Sequence, residues 1–210
     1  MEEIIHEQFV ETAKEIGPNL HRALLQCGPV PRRRSNRQPL PEVLCRTIAG
    51  QQLSVKAART IWGRVLSSCD GAPLMEHVAA AQLAELRACG LSNSKCKALH
   101  AIAAAQEDGR LNPRKLRRVS PKERSEVLTS IWGVGQWTAD MLNIFYFGEE
   151  DIWPDSDVAA RKTLERLIDG RRRTPTTAQR FAPWRSRLAI YMWQIADAKP
   201  DETAGSTTAV

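Results

Sequence analysis

The sequence has no long hydrophobic run. No stretch of its 210 residues approaches the roughly 18 consecutive apolar residues that a membrane-spanning helix requires. It also has no segment with the sustained alternation of apolar and polar residues that marks a half-buried strand. Because 42% of the residues are hydrophobic, the chain still has enough apolar side chains for a packed interior. These features exclude a helical membrane protein and predict an all-α protein that interacts with no membrane.

Cysteine is sparse and irregularly spaced. The chain has five cysteines and no C-x-x-C pair. The odd number, together with an N-terminus that does not resemble a secretory signal, argues against a disulfide framework. We therefore expect reduced thiols and a cytoplasmic location, in association with the nucleoid in a bacterium.

Acidic residues are fewer than basic ones, which leaves a net charge of +6. The basic residues are clustered at 32–34, 114–118 and 171–173. A basic, clustered surface favours a polyanionic partner such as nucleic acid. Solvated loop charges are the alternative interpretation of each cluster.

Helical periodicity and N-cap signals run along most of the chain. The strongest start signal is Ser120-Pro121-Lys122-Glu123, in which serine and glutamate can form a capping box. The predicted helices are an N-terminal pair divided at Gly17-Pro18, then 41–48, 54–66 with Ser54 as N-cap, 79–88, 94–106, 120–131, 136–147, 157–168 and 184–196. Residues 28–38 are predicted to be a basic loop. Residues 1–198 are predicted to form the folded domain, and 199–210 a polar, disordered tail.

Residues 128–162, LTSIWGVGQWTADMLNIFYFGEEDIWPDSDVAARK, carry most of the functional information. Gly133-Val134-Gly135 lies between two helical patterns, where glycines allow a tight turn and close approach of the backbone to a ligand. The first free N–H groups of the helix that follows suit a phosphate oxygen. A plain turn between two antiparallel helices would show the same pattern.

Asp157 follows the hairpin by about twenty residues and precedes another helix. Aspartate is one of the best N-cap residues, so capping alone would explain it. A carboxylate fixed in this way can also stabilise an oxocarbenium-like sugar or orient water toward C1′. Asp155 and Asp151 are the alternatives nearby.

A glycine hairpin followed at this spacing by an aspartate resembles the helix-hairpin-helix (HhH-GPD) base-excision DNA glycosylases. The resemblance implies a fold of two helical lobes that flank an active-site cleft. It selects Asp157, four residues before Arg161, as the catalytic residue. It also implies that the amides of Gly133 and Gly135, with the Thr138 hydroxyl, bind a DNA phosphate.

The same resemblance implies a structural Na⁺ or K⁺ at the hairpin, held by the carbonyls of Thr129, Ile131 and Val134. It requires no organic cofactor. Some members carry a C-terminal four-cysteine iron–sulfur cluster, but here no cysteine follows Cys96, so we expect none.

Tryptophan occupies the position at which bifunctional members carry a Schiff-base lysine, two residues after the second hairpin glycine. This residue, Trp137, implies a monofunctional enzyme without lyase activity. Trp137 and Trp193 match tryptophans that the alkylpurine branch uses to hold electron-poor bases, by stacking and cation–π attraction of roughly 0.5–2 kcal/mol. Met141, one turn after Trp137, is expected on the same wall, although core packing is the alternative for both tryptophans. Three further tryptophans are assigned to the core: Trp62, Trp132 and Trp184.

The run AGQQLSVKAA at 49–58 is similar to the G-Q-Q-x-S-x-K-A-A run of the 3-methyladenine DNA glycosylase II (AlkA-type) branch. By family position, Gln52 would be the wedge that fills the gap left by a flipped base, with Leu53 as the neighbouring candidate. A helix corner capped by Ser54 is the alternative. The resemblance covers residues 40–193 and includes no N-terminal β domain.

The resemblance therefore implies a monofunctional DNA N-glycosylase that hydrolyses alkylated purines in base excision repair. The expected substrate is 3-methyladenine in double-stranded DNA, and the expected state is a monomer. Two alternatives stay open: a glycosylase of the same fold for an oxidised or mismatched base, and a non-catalytic protein that binds distorted DNA.

Overall fold

The computed structural model describes residues 1–31, 36, 38–170 and 172–198. Within these residues every regular element is a helix, which confirms the all-α prediction, and no helix is long and apolar enough to cross a membrane. The predicted tail, the cluster at 32–34 and Arg171 lie outside the described residues. The chain divides into two compact units, one formed by residues 1–32 and 150–210 and the other by residues 33–149.

The first unit combines the two ends of the chain. Its helices are α1 Glu2–Ile16, α2 Pro18–Cys27, α11 Val158–Leu167, α12 Thr174–Gln179 and α13 Arg185–Asp197. The break between α1 and α2 falls at Gly17-Pro18, as predicted, because Pro18 lacks the N–H that would continue the helix. Phe9, Leu20 and Tyr191 lie at the centre of its core.

The second unit contains the hairpin. Its helices are α3 Leu40–Gly50, α4 Val55–Ser68, α5 Leu74–Ala80, α6 Leu83–Ala88, α7 Asn93–Glu107, α8 Pro113–Leu116, α9 Pro121–Thr129 and α10 Gln136–Leu142. A π-helical turn, Asn143–Phe147, extends α10 and ends at Gly148 in a left-handed conformation. Leu44, Leu99 and Leu128 are fully buried in the core of this unit, in which α7 packs against α3 and α5.

The predicted N-caps are confirmed. The Ser54 hydroxyl accepts a hydrogen bond from the Ala57 amide at 3.2 Å. Ser120 and Glu123 form the reciprocal capping box, in which the Ser120 amide donates to the Glu123 carboxylate at 2.8 Å. Each cap satisfies amide groups that the first turn of a helix leaves without a partner.

Several boundaries differ from the prediction. The single helix predicted at 79–88 is wrong, because α5 ends at Ala80 and α6 begins at Leu83. Gln82 caps α6 in a capping box with Glu85, which starts a new helix. The short helices α8 and α12 were not predicted. Trp132 is 54% exposed, so its assignment to the core is wrong.

Candidate active site and DNA-binding elements

The hairpin turn, Ile131–Val134, joins α9 to the residue before α10. The Val134 amide donates to the Ile131 carbonyl at 3.0 Å and closes the turn. Ile131 and Val134 are buried and fix the turn to the core of the second unit, whereas Trp132 projects into solvent. Gly133 takes the third position with φ +85°, which is the left-handed region that favours glycine.

The two hairpin glycines have different surroundings. A Cβ on Gly133 would lie 2.6 Å from the Cβ of Ala98 in α7, a distance that real Cβ atoms do not tolerate. A Cβ on Gly135 would meet nothing within 4 Å. Gly135 caps α10 with φ −92°, a conformation open to any residue. Packing and backbone conformation therefore require glycine at position 133. At position 135 neither of them requires glycine.

The Thr138 side chain is 1% exposed, and its hydroxyl accepts a hydrogen bond from the side-chain amide of Gln51 at 2.9 Å. The structure thus gives Thr138 an internal contact that the sequence did not indicate, and its phosphate contact stays a prediction. Of the residues predicted to hold a cation, Thr129 ends α9, where carbonyls lack partners within the helix. Ile131 and Val134 lie in the hairpin turn.

Asp140 in α10 is a buried carboxyl group next to the hairpin. Its side chain accepts a hydrogen bond from the side-chain amide of Gln136 at 2.7 Å. Burial raises its pKa from the ordinary value to about 6, against the opposing effect of that hydrogen bond. Asp140 therefore titrates closer to neutrality than an exposed aspartate.

Asp157 is the N-cap of α11 and is 8% exposed. Its Oδ1 atom accepts two hydrogen bonds, from the Ala160 amide at 2.8 Å and from the indole N–H of Trp193 in α13 at 2.9 Å. Both contacts lie within the first unit. Two donors on one oxygen fix the orientation of the carboxylate, which is the property that stabilising a transition-state charge requires.

The alternative aspartates have structural partners. Asp151 forms an ion pair with Arg185, with distances of 2.7 Å and 3.0 Å to its two carboxylate oxygens, and this guanidinium lowers the pKa of Asp151. The Oδ1 atom of Asp155 accepts hydrogen bonds from Trp153 and Thr174, each at 3.1 Å. These contacts tie both carboxylates to the loop before α11 and to its neighbours.

A cavity of about 740 Å³ lies in the second unit and contains Trp137 in its wall. Gln52 and Leu53, the two candidates for the wedge, line the same cavity. Trp62 also lines it: the ring is half-buried and packs against the core of this unit, in agreement with the sequence assignment, while it also borders the cavity. The cavity thus combines two indole rings with polar and basic side chains, including Arg46 and Arg59.

Met141 and Trp193 differ from expectation in their surroundings. Met141 is half-buried one turn after Trp137, but it does not line the cavity that contains Trp137. Trp193 is half-buried, and the N–H edge of its ring is directed at Asp157. The structure thus connects Trp193 with the carboxylate, and its contact with a base stays a prediction.

Gln52 lies at the tip of a second turn, Gly50–Leu53, which we call the Gln52 turn. It is closed by a hydrogen bond from the Leu53 amide to the Gly50 carbonyl at 3.3 Å. Gln52 has φ +58° and is one of two non-glycine residues with positive φ among the described residues. The turn leaves Gln52 and Leu53 exposed, as a loop that enters DNA must be.

The hairpin, the capping aspartate and the all-helical fold together define a class of protein. Residues 45–185 match the HhH-GPD superfamily of base excision DNA repair proteins, and the chain belongs to this family. It is therefore a base-excision DNA glycosylase, with DNA as its partner.

The chain is similar to DNA-3-methyladenine glycosylase 1 of Schizosaccharomyces pombe, with 33% identity over 79% of this chain and 76% of that protein. The structure of the S. pombe 3-methyladenine DNA glycosylase (Mag1) in complex with abasic DNA matches with a TM-score of 0.75 and 28% identity, and the match covers 91% and 95% of the two chains. A DNA-3-methyladenine glycosidase from Bacillus halodurans matches with a TM-score of 0.75 and 29% identity over 90% and 88%.

Besides the Gln51–Thr138 hydrogen bond and the buried Asp140, two further features of these elements were not found from the sequence. One is the contact of Trp193 with Asp157, which joins residues 36 positions apart. The other is Lys95, whose ammonium group contacts the Gln52 turn from α7. Neither has a local sequence pattern. The one local feature near Lys95 is the cap of α7, Ser92, which places Lys95 in the first turn of that helix.

Proposed function

We propose that the protein is a monofunctional DNA N-glycosylase that removes alkylated purines by hydrolysis of the N-glycosidic bond. The observation that carries the proposal is the pair of hydrogen bonds on Oδ1 of Asp157. A carboxylate held in this way keeps its position while positive charge develops on a sugar. Because it needs no reorganisation at that moment, its stabilisation of the transition state is large.

In the proposed reaction, the C1′–N bond breaks and the base leaves with the bonding electron pair. A purine methylated at N3 carries positive charge and leaves as a neutral molecule, so it needs no acid catalyst. Asp157 stabilises the resulting oxocarbenium ion and orients a water molecule toward C1′. The water adds to C1′ and transfers a proton to the Asp157 carboxylate, which later releases it to solvent, so an abasic site remains in an intact strand.

Selection of the base is assigned to Trp137. An electron-rich indole attracts a cationic or electron-poor ring by about 0.5–2 kcal/mol. The same position bears on lyase activity: strand cleavage through a Schiff base needs an amine, and an indole cannot supply one. The proposed product is therefore an abasic site rather than a broken strand.

The hairpin is proposed to hold a phosphate through the amides of Gly133 and Gly135. The Thr129, Ile131 and Val134 carbonyls would hold a Na⁺ or K⁺ ion, which would supply positive charge near that phosphate. Because each phosphate contact releases counterions, duplex affinity should fall steeply with salt. The monomeric state and the cytoplasmic location stay predictions.

The test is release of free base from alkylated duplex DNA, measured by chromatography under single-turnover conditions, for wild type and Asp157→Asn. Asparagine is also a good N-cap and its carbonyl oxygen can accept both hydrogen bonds, so the fold should be retained. We expect the variant to release base about 100-fold more slowly or worse. Abasic strands from the wild type should break only after alkali treatment.

Asp155→Asn is the matched control, because it removes a nearby carboxylate whose contacts are with Trp153 and Thr174. It should release base at a rate close to wild type. Release of free 3-methyladenine by the wild type and by Asp155→Asn, with much slower release by Asp157→Asn, would support the proposal. Strand cleavage without alkali would refute the absence of lyase activity, and tight binding without release of any alkylated base would favour another lesion or a non-catalytic role.

Trp193→Phe tests whether Trp193 acts through Asp157. Phenylalanine keeps an aromatic face but has no N–H to donate to Oδ1. Losing a hydrogen bond to a charged group, worth about 1.5–3 kcal/mol, should lower kcat about 10- to 150-fold, with KM nearly unchanged. A rise in KM at constant kcat would instead assign Trp193 to the wall of the base pocket.

A further inference from the structure

Lys95 makes two short contacts, one with the last turn of α3 and one with the Gln52 turn. Its Nζ atom donates to the carbonyl of Ala49 at 2.9 Å and to the carbonyl of Gln51 at 2.7 Å. Lys95 belongs to α7 and lies more than forty residues away in sequence. The side chain is half-buried, and burial lowers the pKa of its ammonium group. The contact therefore places a partly desolvated charge beneath an exposed turn.

The position of these carbonyls explains why a cation binds there. They lie at the end of α3, where the last carbonyls have no partners within the helix and the helix dipole is negative. An ammonium group supplies the missing donors. Gln52 follows directly and has the left-handed conformation, which is of order 1 kcal/mol unfavourable for a residue with a side chain. The two hydrogen bonds offset that cost.

Helix α7 also supports the hairpin. Ala98, one turn after Lys95, is the residue against which Gly133 packs. A second connection joins the Gln52 turn to α10, the helix that follows the hairpin, since the Gln51 side chain donates to Thr138. One helix face and one side-chain hydrogen bond thus fix the Gln52 turn and the hairpin relative to each other within the second unit.

We propose that Lys95 is a positioning residue that holds the Gln52 turn in place, so that Gln52 can enter the duplex when a base is flipped out. The proposal rests on the proposed glycosylase function and gives it a component that touches no DNA. It requires Lys95 to act through the backbone of the turn. A lysine of a DNA-binding protein would otherwise be assigned to a phosphate.

Lys95→Met tests this role, because methionine is of similar length and lacks both the charge and the donors. Lys97→Met is the matched control, because Lys97 is exposed on the same helix. This substitution removes the same charge and leaves the contacts with the turn intact. The measurement is affinity for an undamaged duplex and for a duplex with a tetrahydrofuran abasic analogue. We expect Lys95→Met to lower the preference for the abasic duplex about tenfold, and Lys97→Met to leave it unchanged.

The salt dependence of binding separates the two roles of a lysine. A residue that neutralises a phosphate contributes about one unit to the slope of log affinity against log salt concentration. We expect Lys95→Met to keep the wild-type slope. A slope lower by about one, or an abasic preference equal to that of wild type, would overturn the proposal.

If Lys95→Met is less stable than wild type, two further measurements separate that loss from the proposed positioning role. Lys95→Gln keeps an uncharged donor, and its abasic preference should lie between wild type and Lys95→Met. Amide exchange of Leu53, whose N–H closes the turn, should be faster in either variant than in Lys97→Met. Unchanged exchange in a folded variant would also overturn the proposal.

These binding measurements do not depend on excision. If the wild type releases no alkylated base but its abasic preference depends on Lys95, the proposed function fails and the role of Lys95 stands. If the wild type releases base and its abasic preference is independent of Lys95, the proposed function stands and the role of Lys95 fails.

Discussion

Two turns of the second unit share their closing hydrogen bond and a positive φ, but they carry different residues at the position of positive φ. The hairpin turn and the Gln52 turn are each closed by a hydrogen bond from the fourth amide to the first carbonyl, and each has positive φ at the third position. In the hairpin that residue is Gly133, seated against Ala98. In the other turn it is Gln52, which keeps its side chain in a conformation that glycine would adopt at lower cost.

The difference indicates what each turn contributes. At the hairpin the backbone itself packs closely against α7, so a side chain would interfere at Gly133. At the Gln52 turn the side chain is exposed at the tip of the loop, and Lys95 stabilises the backbone beneath it. The glycine of the hairpin is thus explained by close packing of the backbone, whereas the Gln52 turn keeps a side chain in a less favourable backbone conformation.

Gly133→Ala should have the largest effect. A methyl group at this position combines positive φ with the 2.6 Å approach to Ala98, and the neighbouring backbone leaves little room for relief. We expect the free energy of unfolding to fall by about 2–4 kcal/mol, measured by urea denaturation. Adding Ala98→Gly should recover the part due to the clash, and a Gly133→Ala protein as stable as wild type would contradict the described packing.

Gly135→Ala should affect binding rather than folding. A Cβ at 135 meets nothing within 4 Å, so the fold should lose at most about 1 kcal/mol, the difference between glycine and alanine at an N-cap. We expect duplex affinity to fall about tenfold, because the methyl group would obstruct a phosphate at the amide groups. The measurement is fluorescence anisotropy with labelled duplex, and unchanged affinity would argue against phosphate binding by this residue.

Gln52→Gly should have the smallest effect on stability. It is the reverse of Gly133→Ala, because it introduces glycine at the position of positive φ in the other turn. Glycine relieves the positive φ but increases the freedom of the unfolded chain, so the free energy of unfolding should change by less than about 1 kcal/mol. If Gln52 is the wedge, as proposed, the loss of its side chain should lower the preference for an abasic analogue over undamaged duplex. A variant that keeps this preference would leave Leu53 as the remaining candidate for the wedge.

Local signals in the sequence predicted the elements that carry these sites. Ser54, Ser120 and Asp157 were each identified as the residue before a helix, and each caps one. Such caps are readable because the bonded atoms lie within three or four residues of each other. The division between α5 and α6 had a comparable signal in Gln82 and Glu85, but continuous helical periodicity obscured it.

The contacts that position the candidate site residues were not predictable in this way. Lys95 with Gln51, Gln51 with Thr138, and Asp157 with Trp193 join residues 36 to 87 positions apart. Only the packing of helices against each other brings these side chains together. The exposure of Trp132 has a different origin, because its place in the hairpin turn rather than its hydrophobicity decides where the ring points.

The account assigns DNA binding to the hairpin and bond cleavage to Asp157. The most direct test compares Gly135→Ala with Asp157→Asn in one experiment. Duplex affinity and the single-turnover rate of base release at saturating protein would be measured for both. We expect Gly135→Ala to bind more weakly but to release base at nearly the wild-type rate, and Asp157→Asn to bind normally but to release base about 100-fold more slowly. Release at the wild-type rate by Asp157→Asn would contradict the assignment of this carboxylate to the chemical step.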